Sequence, residues 1–129
     1  MPRRLIHTML RVLHEDRSLA FYRALGFEET SRKRVGGDTA TVIFLALPGD
    51  GERLELTLND GRAAPYEMGD AYGHIALGVD DMAAELADLS RKGIAPEKPP
   101  YASRPGGSLI CFLRDPDGYR IELVQSRTD

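Results

Sequence analysis

Two histidines and two glutamates of this 129-residue chain recur at one spacing. Glu55 follows His7 by 48 residues, and Glu122 follows His74 by the same 48 (55 − 7 and 122 − 74). Imidazole nitrogen and carboxylate oxygen are ligands for divalent transition metals, and two carboxylates on a dication leave a neutral site. If such an ion is six-coordinate, two adjacent positions stay open for water or a chelating substrate, and the site is a Lewis acid with room for chemistry. Taken singly, each residue has an ordinary explanation. A lone His at the front of a strand is most often a hydrogen-bonded structural residue. Glu55 in "LELTL" reads as the polar side of a solvent-facing strand, with Leu54, Leu56 and Leu58 on the other side. A duplication is what joins the four.

Sliding the sequence by 67 residues lays "HTMLRV" (7–12) on "HIALGV" (74–79) and "LEL" (54–56) on "IEL" (121–123). The same offset lays Gly26 on Gly93, each at the end of a helix-like stretch, and "IFLAL" (43–47) on "ICFLR" (110–114). Four matches in order at one offset indicate a repeated unit. Each unit opens with a strand (5–12; 73–79), in which Ile75, Leu77 and Val79 show the period-2 alternation of a half-buried strand. An amphipathic helix follows, "DRSLAFYRALG" in the first unit and "DDMAAELADLSRKG" in the second. Met82, Leu86 and Leu89 form its core stripe, Asp81 is the expected N-cap and Gly93 the C-terminal stop. Two further strands close each unit through the turns "PGDG" and "DPDG", and a short extra strand is expected near 95–98. The expectation is an α+β chain of 129 residues, a single domain of two repeats at about 1–60 and 72–126, with 61–71 as linker. The repeat predicts that His7, Glu55, His74 and Glu122 converge across a pseudo-twofold.

Alternation extends the argument outward. His7, Met9 and Arg11 share a face, as do Glu55, Thr57 and Asn59, so Arg11 and Asn59 lie about 13 Å beyond a proposed ligand at strand rise. Their counterparts, Gly78 and Ser126, carry no comparable pair. A cation and an amide at one end of a groove suit a long substrate with a distant carboxylate; the ordinary alternative is two exposed strand ends. Arg104 in "SRPGGSLICF" is a further basic candidate on a glycine-rich loop, whereas His14, where the other unit has Asp81, reads as surface or cap. With 42% hydrophobic and 29% charged residues and a net charge of −3, nothing points to nucleic acid or an anionic membrane. The basic run "SRKR" (31–34) reads as a solvated turn, and no apolar run approaches a membrane span. "MPRRLIHTML" has no signal-peptide core, so a cytoplasmic setting is expected. The single cysteine, Cys111, reads as a small buried hydrophobe.

The motifs "LIHTMLRV", "FYRALGF", "LELTLNDG", "AYGHIALGVDD" and "DPDGYRIELV" together resemble the glyoxalase I (lactoylglutathione lyase) family of the vicinal oxygen chelate superfamily, from about Leu5 to Val124. The resemblance implies tandem βαβββ modules with curved mixed sheets, and a homodimer with its active sites at the subunit interface. It implies isomerisation of the glutathione hemithioacetal of methylglyoxal to S-D-lactoylglutathione. A carboxylate removes the carbon-bound proton to give an enediolate, and the proton returns to the neighbouring carbon. The family's metal ligands fall on His7, Glu55, His74 and Glu122. Glu122 is the expected base and Glu55 its near-symmetric partner, while Arg11 and Asn59 match positions that hold the γ-glutamyl end of glutathione. The compact chain is similar to the nickel- and cobalt-activated bacterial members, so Ni²⁺ is the expected metal, with Co²⁺ or Zn²⁺ as alternatives. Other readings within the superfamily are an epimerase, a thiol transferase or a ring-cleaving dioxygenase, against which Glu55 argues, since those keep three ligands or place Gln there. A metal-free binding module of the same fold is the reading of a different class, and the full ligand set argues against it.

Overall fold

A computed structural model describes residues 1–125; Ser126, the last residue of the expected second repeat, lies outside them. The chain divides into two compact units, with the boundary between Tyr66 and Glu67. Each unit is a βαβββ module.

The first module runs β1 (Thr8–Arg11), α1 (Glu15–Ala24), β2 (Glu28–Val35), β3 (Ala40–Ala46) and β4 (Leu54–Asn59). Its sheet order is β1-β4-β3-β2, with β1 parallel to β4 and the other pairs antiparallel. The second module repeats this with β5 (His74–Gly78), α2 (Met82–Arg91), β6 (Tyr101–Ala102), β7 (Leu109–Arg114) and β8 (Arg120–Gln125), in the order β5-β8-β7-β6. In each case the crossover through a helix lets the first strand lie parallel to the last. The cross-strand row Leu10, Leu56 and Ile43 is buried on one face of the first sheet, and Ile121, Leu123, Leu113 and Cys111 are buried in the second. Cys111 is thus the buried hydrophobe expected of it, and burial pushes its thiol pKa up. Among the described residues no helix is long and apolar enough to cross a membrane.

The helices end alike. Gly26 and Gly93 have φ of 99° and 81°, a left-handed conformation that glycine adopts without strain. Phe27 N donates to Tyr22 O at 3.0 Å and Ile94 N to Leu89 O at 2.9 Å, closing both ends in the Schellman pattern. The starts differ. The Asp81 carboxylate accepts from Ala84 N at 3.1 Å, whereas His14 holds the N-cap position of α1 without a side-chain capping bond. Met82 and Leu89 are buried and Leu86 half-buried, as a core stripe requires.

Three sequence expectations are corrected. The run "SRKR" is no turn: it lies within β2, an edge strand of mostly exposed residues paired with β3. Its arginines hold the strand by ion pairs, Arg32 with Glu29 and Glu15, and Arg34 with Asp38 and Asp60. Charge on an edge strand blocks pairing with other chains, so hydrophobic periodicity was the wrong signal there. The extra strand of the second module is β6 at Tyr101–Ala102, not 95–98, where Pro96 lacks a ladder donor and the Pro99-Pro100 pair follows directly. The match of "IFLAL" to "ICFLR" slips by one residue. Phe44 pairs with Glu55, and Phe112, not Cys111, pairs with Glu122. Eight residues separate Leu45 from its partner Leu54, and seven separate Leu113 from its partner Ile121.

The unequal caps give a direct check. Asp81→Ala is expected to lower unfolding stability by about 1 kcal/mol, and His14→Ala by less than about 0.5 kcal/mol. Urea unfolding of both variants reads the difference; equal losses would remove the capping role of Asp81.

Candidate metal centre

The two modules present the same pair by the same register. Met9 lies opposite Glu55 in β4, and Ala76 lies opposite Glu122 in β8. Side chains alternate along a strand, so His7, two residues before Met9, shares the face of Glu55, and His74 shares the face of Glu122. His7 stands one residue ahead of β1, held by Thr8 N donating to Arg53 O at 2.9 Å. His7 Nε2 is 3.0 Å from Glu55 Oε1, and His74 Nε2 is 3.3 Å from Glu122 Oε1. The glutamate side chains are 14% and 15% exposed and the histidines 34% and 38%, so each carboxylate is backed by protein while its imidazole stays open. Bonds of about 2.1 Å to one six-coordinate ion place neighbouring donors roughly 3 Å apart. Each pair therefore fits one edge of such a coordination shell. Among the described residues no third His, Cys, Asp or Glu joins either pair.

Behind each pair stands a phenylalanine that sequence reasoning passed over. Phe44 meets the His7 ring edge-on at 5.4 Å, and Phe112 meets the His74 ring edge-on at 5.1 Å. The one-residue difference in hairpin length had hidden this equivalence, since at an offset of 67 Phe44 falls on Cys111. Beyond the phenylalanines the modules diverge. Thr57 Oγ1 donates to Glu55 Oε2 at 2.8 Å, and Lys33 Nζ stands 5.7 Å from the Phe44 centroid. At the position matching Thr57 the second module has Val124, which has no hydroxyl to donate. There Arg120 stacks on Phe112 with its guanidinium carbon 3.9 Å from the centroid. Its Nε and Nη2 donate to Glu97 at 3.1 and 2.9 Å. Those hydrogen bonds, with Arg114 Nε 2.7 Å away, hold the Glu97 carboxyl below the usual carboxylate range.

The outer candidates separate by module. Arg11 pairs with Thr57 across the β1–β4 ladder, and Asn59 follows two residues on, so both lie on the His7–Glu55 face. Asn59 Nδ2 donates to Tyr66 Oη at 3.2 Å, and the Arg62 guanidinium covers the Tyr66 ring at 4.2 Å. Arg62 is itself pinned to Ala64 O and Pro65 O at 2.7 and 2.9 Å. Tyr66 gave no signal in sequence, because it sits in a stretch that reads as linker. Arg104 belongs to the second module, exposed on a turn closed by Gly107 N donating to Arg104 O at 2.9 Å. A Cβ on Gly107 would lie 2.8 Å from Arg104 Cγ, which makes glycine the residue that fits there.

Tandem βαβββ modules with a matched His–Glu pair on each define a protein of the vicinal oxygen chelate fold. Residues 4–123 match the model of the Glyoxalase/Bleomycin resistance protein/Dioxygenase superfamily. A probable lactoylglutathione lyase of Vibrio cholerae is 40% identical over 127 residues, spanning 96% of this chain and 91% of that protein. The lactoylglutathione lyase of Salmonella typhimurium is 37% identical over 127 residues, 96% of this chain and 93% of that one. Among solved structures, the trypanothione-dependent glyoxalase I of Leishmania major superposes with a TM-score of 0.79 at 38% identity, covering 96% of this chain and 87% of its own. The chain belongs to the glyoxalase I (lactoylglutathione lyase) family of enzymes.

The backing of Glu55 can be measured. Thr57→Val keeps the volume and removes the hydroxyl, a hydrogen bond to a charged group worth about 1.5–3 kcal/mol. Urea unfolding of chelator-treated protein is expected to show a loss in that range. A loss below about 0.5 kcal/mol would mean that Thr57 does not hold the carboxylate.

Proposed function

We propose that the protein isomerises the hemithioacetal of methylglyoxal and glutathione to S-D-lactoylglutathione, with one divalent metal per centre held by His7, Glu55, His74 and Glu122. The observation that carries this is the matched pair, His7–Glu55 and His74–Glu122, at 3.0 and 3.3 Å on equivalent registers of two modules. Each module supplies two of the four donors. In a homodimer each centre takes one His–Glu pair from each of two protomers, which gives two centres per dimer. A cytoplasmic setting fits a chain whose one cysteine is buried and unpaired.

The metal, when bound, supplies Lewis-acid polarisation of the substrate's two oxygens, which acidifies the carbon-bound proton. A carboxylate of this chain would take that proton from the sulfur-bearing carbon and return it to the neighbouring carbon, while the hydroxyl proton passes to the neighbouring ketone oxygen, so the hydroxyl carbon becomes the thioester carbonyl and the ketone carbon the new alcohol carbon. Such a carboxylate has to be loosely tethered. Glu55 is tied by Thr57 Oγ1, while Val124 offers Glu122 no counterpart bond, and this asymmetry favours Glu122 as the base. Arg11 and Asn59, on the His7–Glu55 face, suit the carboxylate and ammonium of a γ-glutamyl group: guanidinium takes the former, and an amide oxygen the latter. Ni²⁺ is the favoured metal. Held six-coordinate by His7, Glu55, His74 and Glu122, it would leave two positions for substrate, where Zn²⁺ would favour lower coordination.

Turnover of methylglyoxal with glutathione, compared with trypanothione and other thiols, tests the substrate directly; no activity with any thiol adduct would overturn the reading. Metal-stripped protein is expected to regain most activity with Ni²⁺, less with Co²⁺ and little with Zn²⁺, and equal recovery with Zn²⁺ at matched occupancy would reject the metal choice. Arg11→Ala is expected to raise KM roughly tenfold or more, since a charge-assisted contact is worth about 1.5–3 kcal/mol, with metal content unchanged. Shared centres predict complementation. His7→Ala and His74→Ala proteins are each inactive, but their mixed dimers keep one intact centre and recover roughly one quarter of wild-type turnover in an equal mixture. No recovery in verified mixed dimers would place all four ligands in one chain.

A further inference from the structure

We propose that Arg120 is a positioning residue for the second-module pair: locked by Glu97, its guanidinium holds the Phe112 ring against His74 and fixes the imidazole with Nε2 turned to Glu122. This rests on the reading of His74 and Glu122 as metal ligands.

The contacts form an unbroken series. Glu97 is delivered to the sheet by its own backbone, whose N donates to Phe112 O at 2.9 Å. Its two carboxylate oxygens accept the fork of Arg120 at 3.1 and 2.9 Å, and Arg114 Nε braces it at 2.7 Å. Arg120 lies opposite His74 in the β5–β8 register and, two residues from Glu122, shares its face. The guanidinium plane covers Phe112 at 3.9 Å, and the edge of Phe112 meets His74 at 5.1 Å with the rings 74° apart. A planar, forked cation suits this place because it can stack on a ring and at the same time donate two parallel hydrogen bonds to a carboxylate.

The first module provides the contrast. Its cation over the matching phenylalanine is Lys33, at 5.7 Å, and its carboxylate is held by Thr57 instead. One pair is steadied through its glutamate and the other through its histidine. An orienting shell of this kind alters how well a ligand holds metal, while an ordinary exposed ion pair does not.

The test measures metal binding without turnover. Chelator-stripped wild-type, Arg120→Met, Arg120→Lys and Glu97→Gln proteins are titrated with Co²⁺ against a chromogenic chelator, and the visible Co²⁺ bands are recorded. Arg53→Met, at the position matching Arg120 in the first module, is the control. Arg120→Met is expected to bind Co²⁺ about tenfold to a hundredfold more weakly with altered bands. Arg120→Lys and Glu97→Gln shift in the same direction by less, and Arg53→Met matches wild type. Wild-type affinity and bands in both Arg120→Met and Glu97→Gln, with only a lower unfolding temperature, would reduce Arg120 to a structural brace. If Arg120→Met does not fold, Glu97→Gln decides alone, because it removes only the charge that locks the fork. Wild-type protein that takes up no Co²⁺ would instead overturn the ligand reading beneath the proposal.

Discussion

The parallel pairing of first strand with last, β1 with β4 and β5 with β8, is the constraint on which the candidate centre depends. Parallel partners on one face keep their side chains together, so the register alone decides which residue stands beside each histidine. A slip of one residue in β4 would turn Glu55 to the face that holds Leu10 and Ile43 and bring the buried Leu54 and Leu56 to the open side. Each such side chain contributes about 1.5–3 kcal/mol by its burial, so the core fixes the register far more strongly than one His–Glu contact could. The pair is thus positioned by hydrophobic packing on the reverse of its own sheet.

The second level of positioning is not duplicated. Both modules keep a phenylalanine edge-on to the histidine, which fixes the ring by shape. Outside that contact the first module restrains its carboxylate with Thr57, and the second restrains its aromatic ring with Arg120 and Glu97. The two copies differ at positions 57 and 124, where the first has a hydroxyl and the second a methyl. Glu55 therefore has a hydroxyl tied to its carboxylate, and Glu122 has none at the matching position.

Stability and pairing specificity are served elsewhere in the fold. The β2 edge is covered with charge and ion pairs, so it adds backbone bonds to β3 while discouraging a further strand. The "DPDGY" turn works through a buried aspartate: Asp115 Oδ1 accepts from Asp117 N and Tyr119 N at 2.9 and 2.8 Å. That turn sets the shorter hairpin and so carries Phe112 to its place opposite Glu122.

The amino-acid sequence by itself determined the repeat, the helix and three of the four strands of each unit in order, the four candidate ligands and their outward neighbours Arg11 and Asn59. These are legible because alternation, helix stops at Gly26 and Gly93, and equal spacing are all local or one-dimensional. β2 was not legible, since an edge strand buries little and shows no apolar period. Phe44 and Phe112 were not legible as partners, because hairpins of unequal length shift their numbering by one and only the ladder restores it. Tyr66, Glu97 and Arg120 came to light only in three dimensions. Their meaning lies in contacts, Tyr66 with Asn59 and Arg62 around a loop and Glu97 with Arg120 across 23 residues, and such contacts are decided by packing and register, not by any pattern that a single stretch of sequence carries.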